Sequence, residues 1–193
     1  EPITNGGTLE IMEQGPVRSV LRYTNEWRNS QFSLEIALYD GLKEIEFSLD
    51  ADWKELGGQE KGVPGLAVNF PSSFENSRFI YDIPFGHIER TGDGKDVPAQ
   101  KWGAVVEKNS EKGLVLSNSH TYGYRGEKNE LSLTRLRSSY EPDRVPEFGR
   151  RKISYSIFPL SDWSSSKSHK LGFSFNNPLI GKRSYHTEGK LSR

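Results

Sequence analysis

With 193 residues and 26 basic against 26 acidic side chains, the chain lacks the basic excess that invites nucleic acid and shows no acidic tail. Cysteine is absent, which excludes a disulfide framework, a thiolate metal site and a cysteine nucleophile, and fits a reducing, cytoplasmic setting. No apolar run approaches the roughly 18 residues of a membrane helix.

Aromatic residues make up 11% of the chain and supply a core that its 33% hydrophobic content would otherwise leave thin. The chain opens on Glu1 with no signal-like segment, and the expectation is a domain cut from a longer protein. In chain order, the first strand is expected from Val17 to Trp27, opened by Gly15-Pro16. From Phe32 to Leu38 apolar residues alternate with Ser33, Glu35 and Ala37, the period of a half-buried strand. Asp40-Gly41 then signals a hairpin turn, because both residue types tolerate positive φ. Ile45, Phe47 and Leu49 continue the alternation on the returning strand.

Further strands are expected at Leu66–Phe70, Arg78–Ile83, Lys101–Glu107, Gly113–Asn118, Leu131–Arg137 and Lys152–Phe158, with a last one near His169–Phe175. Turn chemistry separates them at Gly57-Gly58, Gly92-Asp93-Gly94 and Pro142-Asp143. No run of ten or more residues shows helical periodicity with caps, and Ser164-Ser165-Ser166 reads as a turn. The fold expected is all-β, an antiparallel β-sandwich forming one domain over 1–176, with 177–193 as a flexible tail.

Catalytic signatures are missing. His87, His120, His169 and His186 stand in no zinc-ligand spacing, and there is no nucleophile elbow or phosphate loop. Asp50 and Asp52 flank Ala51 beside Trp53; the pair reads as a strand end beside a half-buried Trp rather than as two glycosidase carboxylates. The densest polar–aromatic run is Asn118-Ser119-His120-Thr121-Tyr122-Gly123-Tyr124-Arg125. Its substrate-binding candidates are Asn118, His120, Tyr122, Tyr124 and Arg125, whose rings stack on sugars and whose polar groups hydrogen-bond them; the alternative is a strand-to-turn junction with Tyr rings on the core. Trp102 joins Tyr122 and Tyr124 as a stacking candidate.

Five segments, in order, resemble the C-terminal β-domain of glycoside hydrolase family 38, the α-mannosidases. They are Gly15-Pro16-Val17-Arg18; Ile45-Glu46-Phe47 through Asp52-Trp53; Ile83-Pro84-Phe85-Gly86 with Glu89-Arg90, continued by Val97-Pro98-Ala99-Gln100 and Trp102; Gly113 to Tyr124; and Leu131 to Ser138 with Pro142-Asp143. The resemblance spans roughly 15–160. It implies a supersandwich of the galactose-mutarotase type and membership of a retaining α-mannosidase acting on mannose-containing glycans. It also implies that the zinc and the nucleophile belong to an N-terminal catalytic domain, so that this chain holds no catalytic residue and no cofactor. Glu89, Arg90 and Trp102 are then structural or interdomain residues, and the partner is the catalytic domain of the same parent. The alternative is a lectin-like sandwich that binds carbohydrate without chemistry. Neither nucleic acid nor a membrane is expected as a partner.

Overall fold

In a computed structural model, residues 3 and 6–181 are described. Thirteen strands and one helix follow one another among them: β1 Thr8–Gln14, β2 Arg18–Trp27, β3 Ser30–Tyr39, β4 Ile45–Trp53, β5 Gly65–Pro71, β6 Ser77–Ile83, β7 Gly86–Arg90, β8 Asp93–Pro98, β9 Trp102–Glu107, β10 Gly113–Asn118, β11 Gly123–Glu127, β12 Glu130–Arg137, β13 Gly149–Leu160 and α1 Ser165–Asn176. They form a nine-stranded sheet, β1-β2-β3-β4-β13-β10-β9-β6-β7, and a four-stranded sheet, β5-β12-β11-β8. Every pairing is antiparallel.

The alternation in the sequence sets which face is buried. Phe32, Leu49, Tyr155, Leu131 and Leu133 point into the space between the sheets, together with Tyr81 and Tyr124. Phe47 stacks on Tyr155 with ring centres 4.8 Å apart, and Phe70 of β5 closes on both from the opposite sheet. Asp40-Gly41 turns the β3–β4 hairpin with Gly41 at φ +73°, and Leu38 pairs with Ile45 across it.

Trp53 is sealed at the end of β4 and stacks on Trp27 at 5.8 Å. Its Nε1–H donates to Ser138 Oγ (2.6 Å), whose hydroxyl donates in turn to the Glu55 carbonyl (2.7 Å). The end of the large sheet is thereby tied to the residue that follows β12. Trp53 is fully buried, where the sequence suggested half.

The expected strand near His169–Phe175 is instead the C-terminal half of α1, and Ser164-Ser165-Ser166 is its start rather than a free turn. Ser164 caps the helix, accepting from Lys167 N–H at 3.3 Å. The helical signal in the sequence is weak because the fully buried positions are small residues, with Leu171 adding an apolar contact. Ser168 and Gly172, four apart, are its buried positions, and Trp163 Nε1–H donates to Ser168 Oγ (2.8 Å). Gly172 lies so close to the sheet that a Cβ there would come within 2.8 Å of the Trp102 ring. β1, β7, β8 and β11 were also not anticipated as separate strands: β8 carries three charges, and β7 and β11 are only five residues each. Of the expected tail, 177–181 are exposed beyond α1, while 182–193, with His186, lie outside the described residues.

Gly172→Ala is expected to destabilise the fold by about 1 kcal/mol or more. The overpacking against a buried Trp, typically ~1–3 kcal/mol, outweighs the ~1 kcal/mol gain in helix propensity. Urea denaturation of the two proteins measures the difference.

Candidate functional site

The run Ile83-Pro84-Phe85-Gly86 forms the tip of the β6–β7 hairpin, where Ile83 pairs with Gly86. Pro84 sets its own φ, and Phe85 takes φ +68° with its ring fully exposed. An ordinary side chain in this left-handed conformation costs on the order of 1–2 kcal/mol. Behind the tip, a cavity of about 560 Å³ is lined by Asp82, Phe85, Gln100, Trp102, His169 and Phe173 among others. Asp82 is buried; its carboxylate accepts the Lys101 N–H (2.9 Å) and lies 3.4 Å from His169 Nδ1. Trp102 Nε1–H donates to that same His169 nitrogen at 3.3 Å. The cavity thus joins the β6–β7 hairpin to α1, and its Asp82, His169 and Trp102 are engaged with one another.

The three residues expected to be structural or interdomain have intramolecular partners. Trp102 is sealed under α1 and has no face for a sugar to stack on. Glu89 lies 3.7 Å from the Arg78 guanidinium, which also binds Glu111 at 2.7 Å. Arg90 Nη1 donates to the Pro98 carbonyl (2.6 Å), linking β7, the edge of the large sheet, to β8, the edge of the small one.

The polar–aromatic run 118–125 divides into a buried and an exposed set. Asn118 and Tyr124 are buried. Asn118 donates to the Gln100 carbonyl and to the Tyr124 hydroxyl and accepts the Thr121 N–H, while the Tyr124 hydroxyl donates to the Leu116 carbonyl. Burial pushes the Tyr124 phenol well above its usual range. These two residues hold the 119–122 loop from below and offer nothing to solvent, which corrects their assignment as sugar contacts. His120 and Tyr122 are exposed on that loop, and Arg125 lies half-buried on the opposite side of β11 from Tyr124. The structure therefore does not gather the five candidates into one site.

Asp50 and Asp52 each have a cationic partner. Arg150 grips Asp50 through two bonds of 2.8 Å and holds its carboxyl below the usual carboxylate range. Asp50 is thereby kept ionised and is no proton donor at neutral pH. Asp52 pairs with Lys54 at 2.8 Å. Among the described residues no three His, Asp or Glu side chains come together as metal ligands, so the zinc implied by the resemblance finds no ligand set in them.

One polar residue that the sequence did not single out is Arg135. It follows Leu131 and Leu133 on the inward face of β12, beside a β-bulge between Thr134 and Leu136. Its guanidinium stacks 3.5 Å above the Tyr155 ring, and Nη1 donates to Thr121 Oγ1. Desolvation lowers its pKa to about 10. The alternation that places Leu131 and Leu133 inward extends to position 135 and was the available signal; the bulge lets Leu136 turn inward beside it.

Three comparisons bear on this chain. It matches the family model described as glycosyl hydrolases family 38 C-terminal domain over residues 2–145. It is 28% identical over 184 residues to mouse alpha-mannosidase 2C1, covering 90% of this chain but only 17% of that protein. Its fold is similar to that of an alpha-mannosidase from Enterococcus faecalis, with a TM-score of 0.76 at 13% identity, over 96% of this chain and 26% of that one. It is also similar to a putative aldose 1-epimerase from Klebsiella pneumoniae, with a TM-score of 0.52 at 11% identity, over 93% and 62%. The galactose-mutarotase-like sandwich expected from the sequence is the fold found.

Because Asp50 has a lowered folded pKa, its pairing contributes stability that is present above the unfolded value of about 4 and lost as pH falls through the folded value. Asp50→Asn is expected to remove that acid-side loss, a difference of no more than about 1 kcal/mol for so exposed a pair. Thermal melts of both proteins between neutral and acid pH measure it.

Proposed function

Since the chain belongs to glycosyl hydrolase family 38, as its C-terminal domain, we propose that it is the non-catalytic β-domain of a longer α-mannosidase and braces the domain that performs the cleavage. The observation that supports this reading most directly is coverage: nearly all of this chain matches, yet it spans only 17% and 16% of the mouse and Dictyostelium discoideum α-mannosidases.

The parent is a retaining enzyme that removes terminal α-mannosyl residues from glycans. Such chemistry needs two carboxyl groups about 5 Å apart across the scissile bond, one of them protonated. In this chain the acids that lie near cations or buried groups are spent on structure: Asp50 on Arg150, Asp82 on the Lys101 amide, Glu35 on Arg22, Glu89 on Arg78. The nucleophile and the zinc belong to the catalytic domain. The contribution of this domain is rigidity. A wall that holds the substrate cleft in shape acts on rate through positioning, and a sandwich closed by buried aromatic contacts supplies such a wall. The absence of cysteine is in keeping with a cytoplasmic enzyme.

Full-length protein is expected to hydrolyse an aryl α-mannoside, and the 193-residue chain alone to show no turnover. Turnover by the isolated chain would overturn the reading. The sugar-binding alternative rests on the exposed Tyr122 ring. Titration with mannose at millimolar concentration is expected to give no saturable signal; saturable binding removed by Tyr122→Ala would replace the brace with a lectin-like module.

A further inference from the structure

The two sheets differ in width by five strands, nine against four, and the mismatch is not shared evenly between the two ends. Phe70 of β5 meets Phe47 of β4 and Tyr155 of β13. At the other end Tyr124 of β11 meets Tyr81 of β6, and Phe79 of β6 fills the space over Gly92 and Gly126. The small sheet therefore lies over β4, β13, β10, β9 and β6, and its β5 edge stops where β3, β2 and β1 begin.

Beyond β5, Ile3 is packed against the core, and among the described residues two apolar rows continue across the large sheet. Cross-strand partners share a face, so each row can be followed from the core outward. One row runs Tyr155, Phe47, Ile36, Leu21, Ile11; exposure rises from 1% at Tyr155 to 68% at Ile11. The next runs Ile153, Leu49, Leu34, Tyr23, Leu9, from 2% to 61%. These are core rows continued into solvent, and they are not the polar outer face that a half-exposed sheet presents to water.

Among the described residues, the strand that borders this face carries no charge and no bulge of its own, and its one edge-guarding residue is the terminal Pro71. Free sheet edges ordinarily carry charges, bulges or brevity that discourage a further strand from pairing. β1 has Glu10 and Glu13 and a bulge. β7 is five residues with Glu89 and Arg90, and β8 has Asp93, Lys95 and Asp96. β5, Gly-Leu-Ala-Val-Asn-Phe-Pro, has seven residues and no charge. In an antiparallel edge strand about half the peptide groups point away from its neighbour. Alongside β5 runs a cavity of about 710 Å³ lined by Leu66 and Val68 of the strand and by Tyr23, Leu34 and Leu49 of the large sheet.

We propose that a β-strand from the same polypeptide, outside these 193 residues, pairs with the open edge of β5 and lays alternate apolar side chains on Leu34 and Ile36 of β3 and Leu21 of β2. Main-chain bonds to β5 hold the strand, and the apolar rows select its side-chain pattern. The inference rests on the reading of this chain as part of a longer protein, and it specifies how that longer protein joins it: by completing the smaller sheet rather than by docking on the finished sandwich. A strand from the parent is favoured over a second copy of this chain because the relatives extend far beyond it, and because a strand in that position continues one hydrophobic core.

Amide hydrogen exchange on the full-length protein tests this. Peptides covering Gly65–Pro71 are expected to exchange on the order of 100-fold more slowly than those of the charged edge Asp93–Pro98. The double substitution Leu21→Asp, Ile36→Asp, at half-buried positions on β2 and β3, is expected to abolish that protection. Equal, fast exchange at both edges would overturn the proposal, as would protection that disappears on dilution together with a halving of the mass by light scattering, which assigns the edge to a second copy. Aryl α-mannoside turnover by the same sample separates the two readings. Protection without turnover removes the mannosidase assignment and keeps the strand; turnover without protection does the reverse.

Discussion

The structure depends on one geometric constraint: two sheets of unequal width must bury a single shared face. Nine strands cannot be covered by four, so the core is deep where they overlap and thins toward β1. In the overlap, Phe47, Tyr155 and Phe70 interlock with centres between 4.8 and 6.2 Å, and Trp53 and Ser138 fasten one sheet to the other. Each aromatic ring buries roughly 150–250 Å², which is how a chain of modest apolar content closes a core. Where the overlap ends, the same alternating residues that build the core stand in solvent.

This constraint changes the meaning of the residues that look functional. Asn118 and Tyr124 form a hydrogen-bonded post under a loop, Arg90 clips two sheet edges together, and Trp102 is the floor on which α1 rests. Buried polar groups are costly unless bonded, and these are bonded almost wholly to backbone carbonyls and to each other. Polar residues whose hydrogen bonds are spent inside the fold are poorly placed to recognise a ligand. Arg135 is the exception in kind: a cation held over Tyr155 in the interior, with Thr121 as its hydrogen-bonded partner. It stiffens the meeting point of β12, β13 and the 119–122 loop.

Legibility followed the physics of each element. Phe32–Leu38 and Ile45–Leu49 were readable because one face is buried and the other wet, so alternation was clean. α1 was not, because its fully buried positions are Ser168 and Gly172, and small residues carry little hydrophobic signal beside the single packed Leu171. β8 was not, because its edge charges conceal its period. Among the site candidates, the residue types were right for sugar recognition, but burial decided their role. Tyr122 and Tyr124 are two residues apart in the chain, and the first is exposed while the second is sealed.

By itself the sequence determined the all-β class, most strand positions, and a resemblance that the family match bears out, because alternation and turn chemistry are local properties written residue by residue. Only the tertiary structure decided which polar residues are sealed, that the small sheet stops at β5, and that apolar rows continue past it. These depend on which strands become neighbours, and strand order is set by contacts between residues far apart in the chain.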